Sequence, residues 1–372
     1  MSDNRNSMKL LIISLRTTGL LKEMFEEYCL EWSKMAEVYC ITNDNVELSF
    51  LDIGRVLNLR YRRKEPLSYF SIEKIKRAKE FMDNIKPSII LFFTPHPDNI
   101  FLVKYAAKYP VVCQIHNPLP HSGTKITERI ISAMQKKLYF KYCKKIFVAG
   151  ESLKNDLVQH YDIAEERIYS HKFAALSNIP QIPKTAGNEK YDVIFFGRIE
   201  PYKGINVLID SLKFSHHCRT VLIVGKGKPY FSTVSDQAEI TFVNEYVPDD
   251  KLAVLIAESK MVVMPYLDAT GTSTVIQAFS FGKPVIATDV GVFPEYVAEG
   301  GIIIPPNNPK QLAKAIDKLI ENDELRVNMG KIGNGKLKSD FDIITFCKDY
   351  IIEFEKVIKN NGEICSDKKA SI

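Results

Sequence analysis

Residues 191–204 read YDVIFFGRIEPYKG, and this stretch decides the fold. Val193 to Phe196 form an apolar run of strand length that stops at Gly197. A basic loop follows, carrying Arg198 and Lys203, and Gly204 then opens an amphipathic helical pattern. An apolar strand feeding directly into a helix is the repeating unit of a parallel sheet buried on both faces. The junction also presents free backbone N–H groups and the positive end of a helix dipole. One guanidinium and one ammonium placed there make a receptor for a phosphate-bearing ligand. Either cation alone reads as an exposed residue in a turn; the pair after a buried strand favours function.

The same alternation extends in both directions. Toward the N-terminus, strands at 9–15, 38–42, 88–93, 111–115 and 145–149 alternate with helices that include 72–85, 100–109, 125–142 and 151–161. Toward the C-terminus, strands at 193–196, 220–224, 240–243, 261–264, 284–287 and 301–304 alternate with helices, and another helix covers 309–322. Between these halves, SNIPQIPKTAGNEK (177–190) is rich in Pro and polar groups, has no periodicity and reads as a linker. The expected organisation is therefore α/β, with two Rossmann-like domains at 1–176 and 191–340. Residues 341–372 complete it with a helix at 343–359 and a tail, GEICSDKKASI, expected to be disordered. A chain of 372 residues suits two such domains.

Composition narrows the class. Hydrophobic content of 45% and charged content of 26% are those of a soluble globular protein. No apolar run approaches the roughly 20 residues of a membrane span. The first apolar run ends at Arg16, so it reads as a core strand and not a signal peptide, and a cytoplasmic location is expected. Seven scattered cysteines without a CxxC give neither a zinc site nor a disulfide framework. HExxH, GxSxG, the P-loop signature and a strand leading into GxGxxG are absent.

The net charge of +5 is unevenly spread. Basic residues gather in the first half: Arg60, Arg62, Arg63 and Lys64, then Lys74, Lys76, Arg77 and Lys79, then Lys136, Lys137, Lys141, Lys144 and Lys145. With aromatic neighbours such as Tyr61, Tyr139 and Tyr142, they fit a membrane interface at least as well as a nucleic acid. Solvated helix faces are the plainer alternative.

Ligands of parallel α/β sheets bind outside the carboxyl ends of the strands. Besides Gly197, Arg198 and Lys203, that rule selects PYLDATGTSTVIQAF (265–279), where a strand meets small and hydroxyl residues before a helix. Backbone around Gly271, Thr272, Ser273 and Thr274 can approach a phosphate or sugar closely; taken alone the segment is an ordinary capped helix. In VVCQIHNPLPH (111–121), His116 directly follows a strand, with His121 beyond it. His96 ends another strand in TPHPD, and Gly19 lies in the first strand–helix turn. A lone His or Gly at such a place is more often structural.

GRIEPYKG, the strand ending in Gly225-Lys226-Gly227, Tyr246-Val247-Pro248, and the block TGTST…QAFSFGKPVIATDVG with Pro294-Glu295 occur in a telling order. They resemble the retaining glycosyltransferases of family four, which have the GT-B architecture of two Rossmann-like domains facing across a cleft. The resemblance spans the C-terminal domain and, more weakly, the N-terminal one. It implies metal-independent transfer of a sugar from a nucleotide-diphosphate donor such as a UDP- or GDP-sugar, with no cofactor. By resemblance, Arg198 and Lys203 stabilise the leaving diphosphate and His116 positions the donor sugar. Donor contacts are implied for Gly19, Gly197, Gly225, Tyr246, Gly271, Thr272, Ser273, Thr274 and Gln277, and acceptor contacts for His96 and His121. The family usually has glutamates at the positions held here by Ala269 and Gln277. Gln277 retains hydrogen-bonding capacity toward a ribose; Ala269 has none. The basic N-terminal half implies a lipid-linked saccharide acceptor in cell-surface polysaccharide assembly. Two rivals stay open: an epimerase or hydrolase of nucleotide sugars on the same plan, and a catalytically weak nucleotide-sugar-binding subunit.

Overall fold

A computed structural model describes residues 8–15, 20–43, 46–59, 71–94, 96–120, 126–177, 189–268 and 272–370. The chain divides into two compact units. The first takes in the described residues up to His171 together with those from Ile343 onward; the second runs from Lys172 to Asp342.

The first unit alternates β1 (Lys9–Ser14), α1 (Leu20–Ser33), β2 (Glu37–Thr42), β3 (Val56–Asn58), α2 (Ile72–Ile85), β4 (Ile89–Phe92), α3 (Asn99–Ala106), β5 (Val111–Ile115), α4 (Ile126–Tyr142), β6 (Lys145–Val148), α5 (Glu151–Tyr161) and β7 (Ile168–Ser170). All seven strands are parallel, in the order β3-β2-β1-β4-β5-β6-β7. The order reverses between β1 and β4, which makes their carboxyl ends the switch point of this sheet. Strand β4 is buried at every position, as a sheet covered on both faces requires.

The second unit contains β8 (Tyr191–Phe196), α6 (Ile205–Ser211), β9 (Thr220–Val224), β10 (Glu239–Val243), α7 (Asp249–Ala257), β11 (Ser259–Met264), α8 (Thr274–Ser280), β12 (Val285–Thr288), α9 (Phe293–Val297), β13 (Gly301–Ile304), α10 (Pro309–Glu321) and α11 (Asp323–Ser339). Its six parallel strands run β10-β9-β8-β11-β12-β13, so the switch point lies between β8 and β11.

The last helix, α12 (Ile343–Ala370), belongs to the first unit. The tail expected to be disordered is helical as far as Ala370, a correction to the sequence reading. Phe346, Tyr350 and Phe354 of α12 pack on Tyr28 and Trp32 of α1 and on Phe147 of β6, and the Trp32 Nε1–H donates to the Cys347 carbonyl at 3.2 Å. Strands β3 and β7 and helix α11 were not among the expected elements. The two strands are three residues each, too short for a periodicity to register. Residues 178–188 of the expected linker lie outside the described residues.

Candidate functional site

Strand β8 ends at Phe196, and Gly197 follows with φ +129°. Pro201-Tyr202-Lys203 then make a single 3-10 turn, and Gly204 at φ +66° turns the chain into α6. A Cβ at Gly204 would stand 1.9 Å from the Pro265 carbonyl oxygen, so the β8 and β11 loops meet here backbone to backbone. The Leu267 N–H donates to the Tyr202 carbonyl at 2.7 Å and fastens the same junction.

This turn carries Lys203 inward. The side chain is 8% exposed, and Nζ donates to the Tyr266 hydroxyl at 2.6 Å while lying 4.3 Å from that ring's centroid. Among the described residues no carboxylate pairs with it. Its ammonium lies beside Gly197, where an added Cβ would approach Nζ to 3.3 Å. Among the described residues this buried ammonium is supported by a phenol and aromatic faces, an environment that favours an anionic ligand. Lys203 and Tyr266 come from the loops after β8 and β11, so their contact bridges the switch point.

Arg198 differs. Its side chain is 72% exposed, Nη1 donates to the Glu200 carboxylate at 2.5 Å, and Nη2 reaches the Tyr202 hydroxyl at 3.4 Å. The two expected cations are therefore a buried one held by a phenol and an exposed outer one tied to an acid. Burial raises the Tyr202 phenol far above its ordinary range, so it stays protonated beside them.

The neighbouring β9 loop closes tightly on this one. Gly225, at φ +152°, would place a Cβ 1.7 Å from the Gly197 carbonyl oxygen, and Ile199 pairs with Gly227 as an isolated bridge. At the α6 N-terminus, expected to present free N–H groups, the first N–H is already taken. The Ile205 N–H donates to the Tyr230 hydroxyl at 3.2 Å, which itself donates to the Glu200 carbonyl at 2.7 Å. The fixed positive charge here is the Lys203 ammonium, not an open helix end.

Beyond β11, Thr272 caps α8: its Oγ1 accepts from the Thr274 N–H at 3.2 Å and lies 3.0 Å from the Thr274 hydroxyl. Ser273 is the residue before the helix and makes no side-chain cap. Gln277 is half-buried one turn in, its N–H bonded to the Ser273 carbonyl at 2.9 Å. Tyr246 lies exposed after β10. Gly271 and Ala269 lie outside the described residues, as do Gly19 and His121.

In the first unit, His116 follows β5, and its Nε2 is 3.1 Å from the Phe93 carbonyl. A carbonyl only accepts, so Nε2 carries the proton and Nδ1 is the acceptor nitrogen. Burial pulls its pKa from 6.5 to about 4, so the ring is neutral at physiological pH. His96 is buried, and its Nδ1 accepts the Asp98 N–H at 3.2 Å; the ring braces its own loop. Gln135 Nε2 donates to the His96 carbonyl at 3.0 Å. Lys136, expected on the outward basic surface, is buried: its Nζ donates to the Pro118 carbonyl, which also accepts from the Tyr161 hydroxyl at 3.0 Å. Burial pulls its pKa to about 8. Gln135 and Lys136 thus hold the loops that follow β4 and β5. Arg60, Arg62, Arg63 and Lys64 lie outside the described residues.

The sequence reading did not find Tyr266 or Tyr230. The available signal for Tyr266 was only a phenol two residues past a strand end; its cation, Lys203, is 63 positions away in sequence.

The two units coincide with two family matches. Residues 26–170 match Glycosyltransferase Family 4, and residues 179–336 match Glycosyl transferases group 1. The chain belongs to the family-4 type of glycosyltransferases with the GT-B fold. It is 26% identical over 338 residues to an uncharacterized glycosyltransferase of Methanocaldococcus jannaschii, covering 87% of this chain and 88% of that protein. The O-antigen chain mannosyltransferase RfbU of Salmonella typhimurium is 23% identical over 65% of this chain and 72% of its own length. Among solved structures, Anabaena HepE in complex with UDP-glucose superposes with a TM-score of 0.72 at 15% identity, covering 94% of this chain and all of that one. A putative UDP-N-acetylglucosamine 2-epimerase from Listeria monocytogenes shares the fold at TM-score 0.61 and 12% identity, covering 93% of this chain and 95% of that one. Fold alone therefore leaves the epimerase rival open, and the family matches decide for a glycosyltransferase.

Proposed function

We propose that this glycosyltransferase moves a sugar from a nucleotide-diphosphate donor to a lipid-linked saccharide acceptor, with retention of anomeric configuration, in cell-surface polysaccharide assembly. The observation that carries this reading is the buried Lys203 ammonium, held by Tyr266 at the switch point with no carboxylate partner among the described residues. Negative charge grows on the leaving diphosphate as the glycosidic bond breaks, and a fixed cation there lowers the barrier. Arg198 exchanges Glu200 for a phosphate oxygen pair and adds a bidentate contact. These two cations supply the charge that a metal supplies elsewhere, so the reaction needs no cofactor.

Backbone at Gly197, Gly225 and residues 271–274 serves the phosphates in this reading, Tyr246 lies with the donor loops, and the Gln277 amide serves the ribose. His116 contributes a neutral imidazole to the donor sugar. The acceptor oxygen attacks from the face of the leaving group, so no carboxylate nucleophile is required. Support for the substrate classes comes from relatives: RfbU acts on O-antigen chains by name, and HepE was solved with UDP-glucose.

A thermal-shift screen of nucleotide sugars, followed by mass spectrometry of products formed with lipid-linked acceptors, tests the proposal. Transfer of a hexose mass to the acceptor supports it. Conversion of the nucleotide sugar without acceptor assigns an epimerase or hydrolase instead, and binding without any conversion assigns a binding subunit.

A further inference from the structure

The turn that delivers Lys203 lies between two glycines with positive φ, Gly197 at +129° and Gly204 at +66°. Glycine leaves the backbone free at both ends, so the position of the turn depends on a brace from outside it. One hydroxyl supplies that brace. The Glu200 carbonyl closes the turn by accepting the Lys203 N–H at 3.0 Å, and the Tyr230 hydroxyl donates to the same carbonyl at 2.7 Å. A carbonyl has two lone pairs, so it serves both donors. On the far side of Lys203, the Ile205 N–H donates to the Tyr230 hydroxyl at 3.2 Å. A single phenol oxygen therefore ties the backbone on both sides of Lys203.

Tyr230 is itself anchored. The loop after β9 that carries it runs beside the turn, where the Ile199 N–H donates to the Lys226 carbonyl at 3.2 Å. A Cβ at Gly227 would stand 2.4 Å from the Ile199 carbonyl oxygen, so the two backbones touch. The Tyr230 ring meets Phe231 edge-on with centroids 5.6 Å apart, and Phe231 packs on Phe242 of β10 at 5.2 Å. Burial raises the Tyr230 phenol above its ordinary range, so the hydroxyl keeps its proton.

We propose that Tyr230 is a positioning residue for the transfer reaction: its hydroxyl fixes the turn, and the turn fixes the Lys203 ammonium. Tyr266 holds the tip of the Lys203 side chain, and Tyr230 holds its base. A charge held in place stabilises a transition state without having to reorganise as negative charge develops. A small displacement of that charge is felt in turnover before it is felt in binding. The inference rests on the leaving-group reading of Lys203.

Steady-state kinetics of Tyr230→Phe test it, in the wild-type chain and in a Lys203→Met background. The substrate is the nucleotide sugar that the wild-type chain transfers, at a temperature where melting curves show each variant folded. Tyr230→Phe keeps the ring and should lower kcat about tenfold, with the donor KM within about twofold of the wild type. In the Lys203→Met background the same substitution should change kcat by less than about twofold, because no ammonium remains to position. A merely structural hydroxyl would cost the same factor in both backgrounds, and that result would overturn the proposal. Wild-type kcat in Tyr230→Phe beside an impaired Lys203→Met overturns this role alone. Wild-type kcat in Lys203→Met overturns the leaving-group reading and this role with it.

Discussion

The Lys203 ammonium donates to the Tyr266 hydroxyl at 2.6 Å across the point where the strand order of the second unit reverses. The contact joins the loops after β8 and β11 and, among the described residues, uses one of the three donors of a buried cation. Lys203→Met keeps the volume and removes the charge. Turnover should fall by about 10²–10³-fold, or roughly 3–4 kcal/mol. Tyr266→Phe keeps the ring and should lower turnover by roughly tenfold, since one hydrogen bond to a charged group is lost. Steady-state kinetics with melting curves for both variants separate this from misfolding.

Glu200 and a bound diphosphate compete for Arg198. Glu200→Gln should therefore raise the affinity for UDP or GDP severalfold, while Arg198→Ala should lower it. Calorimetric titration of each variant reads both directions. If Glu200→Gln binds nucleotide less well than the wild type, Glu200 supports the site and does not compete for it.

His116 makes acid stability depend on its burial. Its folded pKa is about 4 against an ordinary 6.5. Above pH 6.5 neither state binds the proton, and the ring contributes nothing. Below it the unfolded chain takes up the proton first, so stability falls by roughly 3 kcal/mol as pH drops toward 4. His116→Gln should lose that part of the slope, which chemical denaturation at a series of pH values measures. Identical slopes would show that His116 is accessible to protons in the folded state.

Trp32 reports the seat of α12 within the first unit. It is the chain's single tryptophan, is fully buried, and its ring lies 6.2 Å from that of Phe354. Phe354→Ala should destabilise the unit by about 3–5 kcal/mol and shift Trp32 emission to the red. Unchanged emission and stability would mean that α12 is not part of this core.

Much of the fold was legible because a parallel sheet writes itself as apolar runs between helices, and residues 193–196 and 88–93 did so plainly. Lys203 was legible from its place after β8. Tyr266 was not: it stands 63 positions away, and its contact exists only because β11 crosses back beside β8. The free helix end expected after Gly204 failed for a similar reason, since Tyr230 arrives from the β9 loop to occupy it. On α4, Ile126, Ile130 and Met134 face outward, while Lys136, read as part of the basic surface, goes in. Periodicity assigns a stripe to a face; only packing decides whether that face is covered.

The central claim is that Lys203 stabilises a leaving diphosphate. Its most direct test is the turnover number of Lys203→Met with whichever nucleotide sugar the wild-type chain transfers. A fall of about 10²–10³-fold with an unchanged melting temperature is predicted. Turnover equal to the wild type in that folded variant would contradict it.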